Sequence, residues 1–125
     1  MTESELTAFA LSLAGTAADC PFAEKDSALV LRHADTKKWF GLLLSVPRRY
    51  FGEGEGSEVC LNAKCPPELS AMLRQSYAGI LPAYHMNKEQ WVTVRLGCGV
   101  PDEEIRNILL LSRELTRKKG KVKEK

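Results

Sequence analysis

Between residues 28 and 64, three strand-patterned segments follow one another with no helical periodicity between them, and this ordering constrains the fold more than any other feature. Ala28 to His33 alternates, with Leu29 and Leu31 on one side and Arg32 on the other. Trp39 to Val46 is aromatic and aliphatic almost throughout, the pattern of a strand covered on both faces. Glu58 to Lys64 alternates again, with Val59, Leu61 and Ala63 opposed to Asn62 and Lys64. Strands joined this directly pair antiparallel, because a parallel pair needs a long crossover between its members. A doubly wound nucleotide-binding fold is thereby disfavoured.

The flanking segments supply helices. Thr2 and Glu5 have capping-box spacing, and Leu6, Phe9, Ala10 and Leu13 recur on one helical face. Gly15 lies near that helix's end, and Asp19 to Asp26 reads as a loop barred from helix by Pro21. The run Gly52 to Ser57 reads as a flexible hairpin loop approached by Arg48, Arg49 and Tyr50. Pro66 and Pro67 suit the first turn of a second helix, with Leu69, Met72, Leu73 and Tyr77 as its buried stripe. Ile80 to Tyr84 fits a short edge strand, and Asn87 with Gln90 predicts a single helical turn. Trp91 to Leu96 alternates as a strand. Asp102, Glu103 and Glu104 open a last helix with inner face Ile105, Ile108, Leu109 and Ser112, and Arg113, Arg117, Lys118 and Lys119 close it. The expected fold is α+β, an antiparallel sheet of about five strands with helices packed on it, in the order α-β-β-β-α-β-β-α. Residues 1–117 are expected to form one domain and 118–125 a basic, disordered tail.

The charge is unevenly distributed. Residues 113–125 carry seven Lys or Arg and two Glu, a net of +5, whereas residues 1–112 carry eleven basic and fourteen acidic side chains, a net of −3. Clustered positive charge drives affinity for phosphate backbones, so the body is a poor electrostatic match for DNA and only the tail is a good one. The acidic start, MTESELTAF, resembles neither a secretory signal nor a transit peptide, and no apolar run approaches a membrane span. The four cysteines form no C-x-x-C pair, so reduced thiols in a cytoplasmic protein are expected.

Residues 63 to 94 resemble the MmcQ/YjbR family. The resemblance rests on Lys64, Cys65, Pro67 and Glu68 at a helix entry, on Tyr77, Gly79 and Pro82, and on His85, Asn87, Lys88 and Trp91. Val100, Pro101 and Asp102 match the turn that opens the family's last helix. Two positions depart from the pattern: Arg113 stands where the family usually has Tyr, and Gly41 replaces a hydrophobic residue after Lys38, Trp39 and Phe40. The resemblance implies a frataxin-like α+β fold, described as a double-wing DNA-binding module. It implies DNA as a partner; Arg48, Arg49, Lys64 and Lys88, with the basic tail, are the candidate phosphate contacts.

The residues themselves offer one unusual constellation: Lys64, Tyr84, His85, Asn87, Lys88 and Trp91 bring two cations, an imidazole, an amide and aromatic faces. Such a set binds an anion or stacks a planar ring, so a protein or a small anionic ligand is the alternative partner. The plainer reading keeps Asn87 as a cap, Trp91 as packing, Lys88 as solvated and His85 as a loop tether. No nucleophile elbow, P-loop or dinucleotide fingerprint is present, so no enzyme and no cofactor are expected. The two histidines, His33 and His85, lack carboxylate or thiolate partners at ligand spacing, and only Glu3 and Glu5 make the first helix acidic, so no metal site is expected.

Overall fold

The computed structural model of the chain describes residues 1–20 and 28–117. Helix α1 (Glu3–Leu11) starts at the capping box: Thr2 Oγ1 accepts from the Glu5 N–H at 3.1 Å and Glu5 Oε1 accepts from the Thr2 N–H at 2.9 Å. After Gly15, at φ +79°, strand β1 (Thr16–Asp19) forms one edge of the sheet beside β2 (Leu29–His33). Strand β3 (Trp39–Pro47) leads through a 3-10 turn (Arg48–Phe51) to β4 (Ser57–Lys64). Helix α2 (Pro67–Ser76), edge strand β5 (Ile80–Pro82), strand β6 (Trp91–Arg95) and helix α3 (Asp102–Thr116) complete the order. The six strands form one antiparallel sheet, β1-β2-β3-β4-β6-β5.

The expected α+β class and antiparallel pairing are what the chain adopts, with one strand more than the sequence announced. That strand, Thr16–Asp19, falls partly on the segment read as loop; residues 21–27 of that loop, and the tail 118–125, lie outside the described residues. The three helices cover one sheet face. Leu6 and Ala10 of α1, Leu73 of α2 and Ile105, Ile108 and Leu109 of α3 pack on Leu31, Leu43, Leu61, Ala63, Val92 and Val94. Met72, expected in the buried stripe of α2, is 62% exposed; Ser70 and Leu73 face inward instead. Helix α2 packs chiefly on the β5 side of the sheet, so the buried arc is narrow and Met72 falls outside it.

A bulge in β3 decides which aromatic goes where. Leu31 lies opposite Gly41 but Arg32 lies opposite Trp39, so Phe40 is the extra residue. Phe40 therefore joins Gly41 and Leu43 on the helix side, while Trp39 turns to the opposite face. A Cβ on Gly41 would lie 3.1 Å from Leu109 Cδ1 and 3.1 Å from Leu31 Cδ1, so α3 sits close on β3 only because that position is glycine. Ser112 fixes the crossing: its hydroxyl donates to the Phe40 carbonyl at 2.6 Å and accepts from the Lys64 N–H at 2.8 Å.

Candidate functional site

The sheet face away from the α-helices carries its own apolar cluster: Ala28, Val30, Leu42, Leu44, Val46 and Cys60, with Trp39, Tyr50, Phe51, Tyr84 and Met86 packed against it. Two irregular segments cover it. The 3-10 turn after β3 lays Tyr50 and Phe51 over one end, and the connection between β5 and β6 lays Tyr84 to Met86 over the middle. Tyr50 holds the two covers together, donating its hydroxyl to the Pro82 carbonyl at 2.9 Å and meeting Tyr84 edge-on with ring centroids 5.0 Å apart. Burial, and then the neighbouring Tyr84, push the Tyr50 phenol above its usual range.

The second cover is anchored from below by polar residues on alternate strand positions. Asn62 on β4 and Thr93 on β6 are cross-strand partners and wholly buried. The Thr93 hydroxyl donates to Asn62 Oδ1 at 2.6 Å and accepts from the Tyr84 N–H at 2.8 Å, and Asn62 Nδ2 donates to the Tyr84 carbonyl at 2.9 Å. Both backbone groups of Tyr84 are thus bound to the sheet. His85, the next residue, has φ +63°, a left-handed conformation that costs a non-glycine residue roughly 1–2 kcal/mol. Its ring lies 3.9 Å from that of Tyr84, centroid to centroid.

Between this cover and strand β3 runs a groove of about 490 Å³, lined by Ala28, Trp39, Leu42, Leu44, Ser45, Tyr84, His85 and Met86. The floor is aliphatic, one end is closed by the Trp39 indole, and the opposite wall is the Tyr84–His85 pair with the Met86 thioether. At the Trp39 end, Arg32 Cζ stands 5.9 Å from the indole, and its guanidinium forks onto Asp19 at 2.8 and 3.1 Å.

The other end of this face holds a charge cluster built on a buried arginine. Arg95 is only 7% exposed. Its guanidinium donates to both oxygens of Glu58 at 2.8 Å and to both oxygens of Glu53 at 2.9 and 3.0 Å, with Cζ 4.0 Å from the centre of the Phe51 ring. Hydrogen bonds from Arg95 hold both carboxyls below the usual carboxylate range. The Glu53 segment, read from its glycines as a flexible hairpin loop, is therefore clamped to β6. Burial pushes the adjacent Cys60 thiol up to about 12.

The sequence constellation is partly assembled and partly dispersed. Tyr84 and His85 line the groove. Lys64 and Trp91 lie opposite each other across β4 and β6, on the same sheet face as Asn62 and Thr93. Asn87 is committed to its turn: Oδ1 accepts from the N–H groups of Glu89 and Gln90 at 2.8 and 3.1 Å. Lys88 is exposed outside the groove. Arg48 donates to Glu58 at 3.2 Å and is spent on that pair, whereas Arg49 is exposed beside it. Arg48 and Lys64 adjoin opposite ends of a ladder that runs from Gly41–Ala63 to Pro47–Ser57, six residue steps or about 20 Å at 3.3 Å per residue. The four basic candidates thus do not make one compact patch. Trp39, Leu42, Leu44 and Met86 were not singled out in the sequence as site residues, and neither were Asn62, Thr93 and Arg95. Polar residues on otherwise apolar strands are the signal that marks the last three. Among the described residues no group of three or more His, Cys, Asp or Glu is placed to hold a metal ion, and no helix is long and apolar enough to cross a membrane.

Comparison with known proteins locates this architecture. The family model described as YjbR matches residues 11–115. The uncharacterized protein YyaQ of Bacillus subtilis is 41% identical over 104 residues, covering 82% of this chain and 87% of its own. The uncharacterized protein YjbR of Escherichia coli K12 is 40% identical over 45 residues, 36% of this chain and 38% of its own. Among solved structures, a crystal structure of a Pseudomonas syringae protein superposes with a TM-score of 0.86 at 36% identity, covering 94% of this chain and all of that one. Deinococcus radiodurans protein DR2400 superposes with a TM-score of 0.75 at 30% identity, covering 95% of this chain and 80% of that one. With its model spanning the whole sheet, α2 and nearly all of α3, the chain belongs to the YjbR family.

Proposed function

We propose that this chain is a binding module, not an enzyme, and that its site is the groove between Trp39 and the Tyr84–His85–Met86 wall, which takes a small, planar, mostly apolar molecule bearing an anionic group. One observation carries the reading: a histidine with left-handed backbone follows a tyrosine pinned by Asn62 and Thr93 and packs its tilted ring against that tyrosine at the rim of an apolar groove of about 490 Å³. Strain of that kind persists where surrounding bonds over-determine it, and such sites are enriched in function. A concave apolar lining with a few convergent polar groups is the common form of a small-molecule site. The aromatic walls would stack a ring, and His85 at the rim would meet the anionic group. The free thiols fit a reducing, cytoplasmic setting.

The anionic naphthalene dye 8-anilinonaphthalene-1-sulfonate is a suitable probe. Its fluorescence titration should saturate at one site on the native protein. Met86→Ala, which takes the thioether off the groove wall, and His85→Ala should each weaken it about tenfold, the loss expected from one lost contact of roughly 1.4 kcal/mol. Dye binding untouched by both substitutions rejects the groove as the site.

DNA is the second reading, supported by exposed Arg49 and Lys88 and by the +5 segment 113–125. Against it stand the dispersed cations and the net −3 of residues 1–112. Fluorescence anisotropy with labelled duplex at low and physiological salt tests it. Salt-sensitive binding that Arg49→Glu with Lys88→Glu removes would favour DNA over the small ligand.

A further inference from the structure

On the helix-bearing side, away from the groove, a second pocket of about 420 Å³ opens where α3 ends against the turn before β1 and the turn after β2. Its lining is Ala14, Gly15, His33, Ala34, Asp35, Arg113 and Arg117. Arg113 is half-buried there. Its Nε donates to Thr16 Oγ1 at 3.2 Å, one Nη2 hydrogen goes to the Ala14 carbonyl, and Cζ stands 5.7 Å from the Phe40 ring. A guanidinium has five N–H donors, so three are left unused by the described residues. Among the described residues no carboxylate pairs with Arg113, which is unusual for a partly buried charge.

The other groups leave room for an anion. Asp35 is the one acid in the lining, and its Oδ1 accepts from the Thr36 N–H at 2.7 Å within its own turn. Arg117 projects at the rim, 57% exposed, with only Nε engaged by Glu114 at 2.8 Å. The end of a helix repels anions through its free carbonyls; one of them, that of Arg113, is met here by the Thr116 hydroxyl at 3.3 Å, which also stands 2.8 Å from the Ser112 carbonyl. The same hydroxyl lies 2.9 Å from His33 Nε2. Burial, and then the charge of Arg113, lower the His33 imidazole below its ordinary value.

We propose that this pocket binds a small oxyanion of the phosphate type, held by the free donors of Arg113 and by Arg117. The site is independent of the groove and of its ligand. Two guanidinium groups facing a polar hollow match the geometry of a tetrahedral oxyanion, which each can grip through paired N–H groups.

The test is an NMR titration of the full chain with inorganic phosphate, following the arginine Nε–Hε signals and the Gly15 and Ala34 amides, with chloride at matched ionic strength as control. The expected result is a saturable shift at Arg113, Arg117, Gly15 and Ala34 that chloride does not reproduce. Arg117→Gln, at an exposed position, should weaken it severalfold without unfolding the chain. Arg113→Lys keeps the charge but loses the fork and should weaken it about tenfold. Shifts that chloride matches, that rise linearly without saturating, or that survive both substitutions overturn the site; Arg113 would then serve only to fasten the Ala14–Thr16 turn to α3.

Discussion

Asn62 and Thr93 should behave as one energetic unit. Asn62→Ala removes two hydrogen bonds, one to the Tyr84 carbonyl and one from the Thr93 hydroxyl, at a position with no solvent access. A buried polar group left unpaired costs about 1–3 kcal/mol, and a hydrogen bond at a partly exposed group about 0.5–1.5 kcal/mol. The Thr93 hydroxyl belongs to the first class and the half-buried Tyr84 carbonyl to the second, so the loss should be about 2–3 kcal/mol. With a urea slope of about 1.5 kcal/mol/M for a chain this size, the unfolding midpoint drops by roughly 1.5–2 M at unchanged slope. Thr93→Val loses the same Asn62 contact and the bond from the Tyr84 N–H. The double variant should therefore be less damaged than the sum of the two, by about 1 kcal/mol or more. Because these bonds hold His85 at φ +63°, dye affinity should fall in both single variants under conditions where they remain folded. Additivity within about 0.3 kcal/mol, or full dye affinity in folded Asn62→Ala, would refute the view that this pair builds the groove wall.

Acid should loosen the opposite end of the same face. Hydrogen bonds from Arg95 depress the Glu53 and Glu58 carboxyls in the folded state, so their contribution is complete above the ordinary carboxylate pKa of about 4.3 and is lost as pH falls through the lower folded values; Arg95→Met should flatten that acid limb in urea unfolding at pH 3 to 6. Thiol labelling at pH 8 should be fast at exposed Cys20 and absent at Cys60 and Cys65, whose thiols burial raises, until the chain unfolds. Gly79→Ala should cost about 1–3 kcal/mol in thermal or urea unfolding, since the new methyl would sit 2.9 Å from the Cys98 carbonyl oxygen and 3.0 Å from Val100 Cγ2.

Much of the fold was legible because its signals are local. The capping box at Thr2 and Glu5, the alternation of β4 and β6 and the inner face of α3 all depend on spacing, and spacing survives folding. What escaped was set by distant parts of the chain. The four residues of β1 carry no alternation, and they become a strand because β2 offers an edge. The bulge at Phe40 has no local signature, yet it sends Phe40 under α3 and Trp39 into the groove. Asn62 and Arg95 occupy the strand face expected to meet water, but the Tyr84 and Phe51 segments fold over them, so hydration is replaced by designed partners. Asn87 was legible as a cap and proved to be one. Of the groove's lining, Tyr84 and His85 were legible in the sequence; Met86 was not, and the other wall comes from β3, some forty residues earlier.

The central claim is that the groove over β3 holds a planar anionic ligand, and intermolecular NOEs test it most directly. With the naphthalene dye bound at saturation to the native chain, contacts should run from the dye ring to the Met86 methyl, the Leu42 and Leu44 methyls and the Trp39 indole. NOEs confined to Leu110, Leu115 or Met72 on the helix side, or none to the Met86 and Leu44 methyls, would contradict it.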